Sequence, residues 1–75
     1  MLRTFILDRK IDVSGVSGCG AVAEGCLFDS GEAVVHWKGE HASINIYHSL
    51  EDVLAVHSHG GATVVVFDDE RKPNN

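Results

Sequence analysis

Three groups of residues in this chain have types and spacing that could do chemistry. The first is the run Asp12–Gly25, DVSGVSGCGAVAEG, where glycines recur beside Ser14 and Ser17. Glycine lets a backbone approach a ligand closely, and successive N–H groups can form a concave anion site. The serines add hydroxyl donors. Ser14, Gly15, Val16, Ser17 and Gly18 are therefore read as a loop that holds phosphate. No Gly-Lys-Ser/Thr follows, so this is not a Walker loop. A strand rather than a helix comes next, so it is not a dinucleotide fingerprint either. The second group is the histidines, His36, His41, His48, His57 and His59. His57 and His59 stand close together, but a zinc site needs two more ligands, and no standard ligand spacing appears. No metal ligand is assigned. The pair is read as finishing a helix, where a cation is favoured, with His59 and His36 available as donors to phosphate. The third group is Glu24, His36 and Ser43. These would lie side by side on a flat sheet, with no strained nucleophile turn and no oxyanion hole. No catalytic residue and no cofactor are assigned, and enzyme activity is not expected.

The elements that must position these groups follow from periodicity. RTFILD (3–8) reads as a strand, with Phe5 and Leu7 on one face and Thr4 and Ile6 on the other. The glycine-rich segment follows, roughly residues 9–20. AVAEGCLF (21–28) is a second strand, and the turn DSG (29–31) has Gly31 suited to a left-handed position. EAVVHWK (32–38) and ASINIYH (42–48) are the third and fourth strands, joined by the turn at 38–41. Then the period changes. Ser49 is a helix N-cap with Asp52 in capping-box spacing. Leu50, Val53, Leu54 and His57 recur at helical intervals, and Gly60 and Gly61 stop the helix. ATVVVFD (62–68) is the fifth strand. The order β-loop-β-β-β-α-β predicts a mainly β domain over 1–68, with a polar C-terminal tail over 69–75. The element order resembles an SH3-like small barrel. The alternative is a five-stranded antiparallel sheet with one short helix laid across a face.

Turn lengths predict the register. A three-residue DSG loop sets Phe28 opposite Glu32, and hence Gly25 opposite Val35, Glu24 opposite His36 and Ala23 opposite Trp37. A four-residue loop at 38–41 sets Trp37 opposite Ala42, His36 opposite Ser43 and Val35 opposite Ile44. One face then collects Ala23, Gly25, Leu27, Val35, Trp37, Ile44 and Ile46 as core, with the small Ala23 and Gly25 leaving room for the Trp37 indole. The other collects Val22, Glu24, Cys26, Phe28, Val34, His36, Ser43, Asn45 and Tyr47. This second face mixes polar groups with apolar and aromatic ones, which suits a ligand pocket or a subunit interface. Glu24, His36, Ser43, Asn45 and Tyr47 join the loop residues and His59 as the expected ligand site, with Tyr47 the residue to stack a base.

The totals narrow the partners. A chain of 75 residues makes one domain, and a domain this small buries only ~60% of its unfolded surface, so its core is marginal. Self-association is expected to help secure it. The net charge of −5 argues against a nucleic-acid duplex or an anionic membrane as partner. No apolar run reaches the ~20 residues of a membrane span. MLRTFILDRK carries a charge inside its apolar stretch and lacks a small-residue cleavage site, so it does not read as a signal peptide. A cytoplasmic setting is expected, and with it two unpaired thiols, Cys19 and Cys26.

The pattern RTF-L-R--DVSGVSG-G-VAEG--F--G, followed by W-GEH-S--IY-S-EDV-AVH-H-G-T-VVF, resembles a family of small proteins from actinobacteria and their phages. The resemblance runs from Arg3 to Phe67, and Cys19 stands where that pattern has a hydroxyl residue. A looser likeness, of size and class, is to small oligomeric phage proteins that sequester the nucleotide signals of bacterial immunity. That likeness implies a non-enzymatic homo-oligomer that binds a cyclic dinucleotide or a cyclic ADP-ribose isomer. The alternative is an SH3-like protein–protein adaptor working through the Val22, Phe28 and Tyr47 face.

Overall fold

The computed structural model describes residues 2–10, 20–39, 42–58 and 60–70. Five strands form one antiparallel sheet: β1 (Arg3–Arg9), β2 (Gly20–Leu27), β3 (Ala33–Trp37), β4 (Ser43–Tyr47) and β5 (Thr63–Phe67). Helix α1 (Leu50–His57) lies between β4 and β5, and Asp68–Glu70 form a single 3-10 turn. The spatial order is β4-β3-β2-β1-β5. The two ends of this order are not paired with each other, so the sheet is open and the barrel alternative falls away.

The sequence chemistry explains the elements. Phe28 donates its N–H to Glu32 O, Gly31 donates to Phe28 O, and Gly31 takes φ +97°, as the DSG turn requires. The β2–β3 register follows: Ala23 faces Trp37, Glu24 faces His36 and Gly25 faces Val35, as expected. Ser49 caps α1, its hydroxyl accepting the Asp52 N–H at 3.2 Å. The helix then crosses beneath the sheet to reach the far edge.

One face of the sheet makes the core against α1. Phe5, Leu7, Ala23, Ala33 and Val35 are buried there with Val53 of the helix. Burying each of the larger of these stabilises the fold by about 1.5–3 kcal/mol. Phe5 meets Phe67 edge to face at 5.8 Å. Gly25 leaves room for the Phe5 ring, where Trp37 was expected: a Cβ there would lie 2.7 Å from Phe5 Cζ. The Trp37 indole packs instead 4.5 Å from the imidazole of His57, at the end of α1.

The β3–β4 register is one residue off the expected one. Trp37 faces Ser43, His36 faces Ile44 and Val35 faces Asn45. Ser43, Asn45 and Tyr47 therefore lie on the core face, and Ile44 and Ile46 on the other. The helix supplies the reason. Only two residues separate it from β4, and Tyr47 must be on its side to place the phenol oxygen 2.7 Å from His57 Nε2. A one-residue slip exchanges every side chain between faces. Val22 also changes side. The pairing of β1 with β2 shifts between Leu7 and Asp8, and Val22 is the extra residue, packed against the core.

The chain's end is tied in as far as Glu70. Arg3 grips Asp69 with two hydrogen bonds of 2.9 Å and lies 3.7 Å from the centre of the Phe67 ring. Residues 71–75 of the expected tail lie outside the described residues.

Candidate functional site

The face opposite the helix is made by alternate residues of all five strands. β1 contributes Thr4, Ile6 and Asp8, β2 Glu24 and Cys26, and β3 Val34 and His36. The edges add Ile44 and Ile46 on one side and Val64 and Val66 on the other. Helix α1 packs on the other face, and the 3-10 turn reaches this one through Asp68 at Thr4. Ile44 is 68% and Ile46 75% exposed. The two neighbouring isoleucines form an exposed apolar patch at this edge of the face.

A cleft of about 420 Å³ lies within this face. Its lining includes Thr4, Ile6, Cys26 and Val34, with Glu24, His36 and Asp68 as its charged or titratable members. Glu24 Oε1 stands 3.5 Å from His36 Nδ1. Thr4 donates its hydroxyl to Asp68 Oδ2. Two carboxylates give the cleft an acidic character, and Ile6 and Val34 give it an apolar floor. Such a site accepts N–H donors and aliphatic groups readily and opposes a phosphate. Cys26 is a half-buried free thiol in the same cleft.

The expected site residues divide. Glu24 and His36 sit together in the cleft. Ser43 and Asn45 are on the opposite face, exposed, with the Ser43 hydroxyl 3.3 Å from Asn45 Oδ1. Tyr47 is also there, half-buried, its hydroxyl joined to His57 and its ring edge-on to that imidazole at 5.9 Å. The row Glu24, His36, Ser43 is therefore split between faces. Ser14, Gly15, Val16, Ser17, Gly18 and His59 lie outside the described residues, as do Cys19 and His41. Among the described residues no three His, Cys, Asp or Glu side chains cluster as metal ligands. No helix of the described residues is long and apolar enough to cross a membrane.

Thr4, Ile6 and Asp68 were not expected at a site. The alternation of β1 already sets Thr4 and Ile6 together on the face away from Phe5 and Leu7. Asp68 carries no such local signal, because its bond to Thr4 joins residues 64 apart in sequence.

A second polar feature lies at the other end of β1, on the core face. Arg9 is 7% exposed, paired between Gly20 and Thr63. Its Nε donates to Thr63 Oγ1 at 2.9 Å. A guanidinium has five donors, and among the described residues no carboxylate meets this one.

A family model described as "Acb5 phage protein" matches residues 2–69. No curated protein and no solved structure gives a significant match.

Proposed function

As the chain belongs to the Acb5 phage protein family, we propose that it counters a host defence by holding a protein partner on the open face of its sheet. The observation that carries this reading is the apolar row on this face, from the exposed Ile44 and Ile46 across the half-buried Val34 and Ile6 to the half-buried Val64 and Val66. Covering one of its exposed isoleucines completely is worth about 1.5–3 kcal/mol. The acidic cleft in the middle, with Glu24 and Asp68, adds polar groups that fix the partner's orientation. Basic or N–H-rich groups on the partner satisfy them. The mechanism is occlusion: a bound surface is denied to its normal substrate or partner, and no covalent step is required.

Sequestration of a nucleotide-type immune signal is the second reading. Arg9 favours it, as a buried cation met by a hydroxyl at the strand end where Gly20 closes the glycine-rich segment. The acidic cleft argues against placing a phosphate on the open face.

Val34→Glu separates the two. It puts a charge in the middle of the open face, on the side of the sheet away from Arg9. In cells carrying a defence system that the parent protein neutralises, V34E should keep the parent's circular dichroism and lose neutralisation. Full neutralisation by a folded V34E would remove the protein-binding reading. A rise in melting temperature of the parent with cyclic dinucleotides or ADP-ribose derivatives, equal in V34E, would install the second.

A further inference from the structure

We infer that β4 is a self-pairing edge, through which two copies join their sheets into one ten-stranded sheet about a two-fold axis at Asn45. The inference does not rest on what the open face binds.

The direction of the backbone groups fixes the geometry. Lys38 donates its N–H to Val22 O, and Glu32 accepts from Phe28 N–H. The even-numbered residues of β3 therefore bond to β2. By the alternation of an antiparallel ladder, its odd-numbered residues bond to β4. Ala33, Val35 and Trp37 face Tyr47, Asn45 and Ser43, so these three β4 residues spend their N–H and C=O groups inside the sheet. The groups of Ile44 and Ile46 point outward, along the open edge.

Two such edges brought together antiparallel about Asn45 present complementary backbone groups to each other. Ile44 of one copy lies opposite Ile46 of the other, and each such pair exchanges two N–H to C=O bonds. Asn45 meets its own counterpart as a pair without ladder bonds, at the closer spacing of ~4.5 Å between Cα atoms. On the open face the two isoleucines of each copy form one four-isoleucine cluster across the seam. The charge pattern agrees. The chain carries −5 overall, so most pairs of its surfaces repel, yet Ser43-Ile44-Asn45-Ile46-Tyr47 has no charged side chain.

The opposite edge shows what a closed one looks like. Lys10 donates to Ala62 O, which places the outward groups of β5 at Thr63, Val65 and Phe67. Thr63 N–H is taken by Ser58 O, and Phe67 N–H by Glu70 Oε1 at 3.4 Å. Folded proteins blunt edge strands with such contacts or with charge and proline. β4 has no charge and no proline.

The register makes a sharp test. In a C19S/C26S background that keeps the parent's mass, Asn45→Cys is oxidised with copper-phenanthroline and run on a non-reducing gel. The two cysteines would sit at ~4.5 Å between Cα atoms, inside disulfide reach. Ser43→Cys would hold its cysteines roughly 13 Å apart across the seam, beyond reach. N45C should cross-link at least about tenfold faster than S43C. Light scattering at micromolar concentration should give twice the 8.1 kDa chain mass, and I44K/I46K, which faces like charges across the seam, should give the single mass with unchanged circular dichroism. A parent mass near 8.1 kDa, equal cross-linking of the two cysteine variants, or a dimeric I44K/I46K would each overturn the proposal.

Discussion

Replacing Gly25 by alanine adds one methyl group at a confined point of the sheet. Gly25 does not take a positive φ, so its need for glycine is a matter of space. A Cβ there would lie 2.5 Å from the Val34 carbonyl oxygen, and 2.7 and 2.8 Å from Cζ and Cε1 of Phe5. Neither neighbour yields easily. The carbonyl belongs to β3, and Phe5 is 1% exposed in the centre of the core. Overpacking of this kind costs about 1–3 kcal/mol. Against it stands a gain of about 0.4–1 kcal/mol from the lower entropy of the unfolded chain. The mid-range values leave a net loss of about 1.3 kcal/mol, which lowers the melting temperature of a domain this size by roughly 5–10 °C. Thermal unfolding followed by circular dichroism reads the shift. Phe5→Leu removes the two ring atoms concerned, so G25A and F5L should couple. The double variant should be more stable than the sum of the two losses implies by at least about 0.5 kcal/mol. An unchanged or raised melting temperature for G25A would refute the packing argument. Strict additivity of the two changes would show that the ring is not what the methyl group meets.

Thr63→Val keeps the shape of a buried side chain and removes the hydroxyl that accepts from Arg9. It should destabilise by about 2 kcal/mol, since a hydrogen bond to a charged group is lost in a buried site, and chemical denaturation reads this directly. Asp69→Asn tests the clamp between the chain's ends. The Arg3 hydrogen bonds hold the Asp69 carboxyl below its ordinary value. A depressed folded pKa gives stability that is present above the unfolded value of ~3.9 and lost as pH falls through the folded one. The difference between parent and D69N should thus appear at neutral pH, vanish in strong acid, and shrink with salt because the pair is exposed. A difference that persists in acid would mean that the carboxylate's charge is not involved.

The sheet was legible where a turn had one solution. DSG carries a glycine at the only place a left-handed residue is needed, and the β2–β3 register follows from it. The connection from Trp37 to Ser43 also carries a left-handed glycine, Gly39 at φ +117°, but its longer span does not by itself fix the register. Its alternating SINIY strand offers an acceptable face in either register. The choice falls to Tyr47 and His57, a contact ten residues apart that periodicity does not encode. The same slip moves Ser43, Asn45 and Tyr47 away from Glu24 and His36 and exposes the two isoleucines. The bulge at Val22 is silent in the sequence for a related reason, since both faces there accept a valine. Most of the cleft was readable as strand alternation, through Thr4, Ile6, Glu24, Cys26, Val34 and His36. Asp68 was not, because it arrives from the far end of the chain.

A photo-reactive benzophenone side chain placed at Val34 would report directly on what the open face touches. The same probe at Glu51, exposed on α1 beneath the other face, is the control. Both variants are expressed in host cells carrying a defence system against which the proposed role is tested, and then irradiated. The account predicts an adduct between the Val34 probe and a component of that system, and none from the Glu51 probe. Neutralisation by both variants with an adduct from Glu51 alone would contradict it.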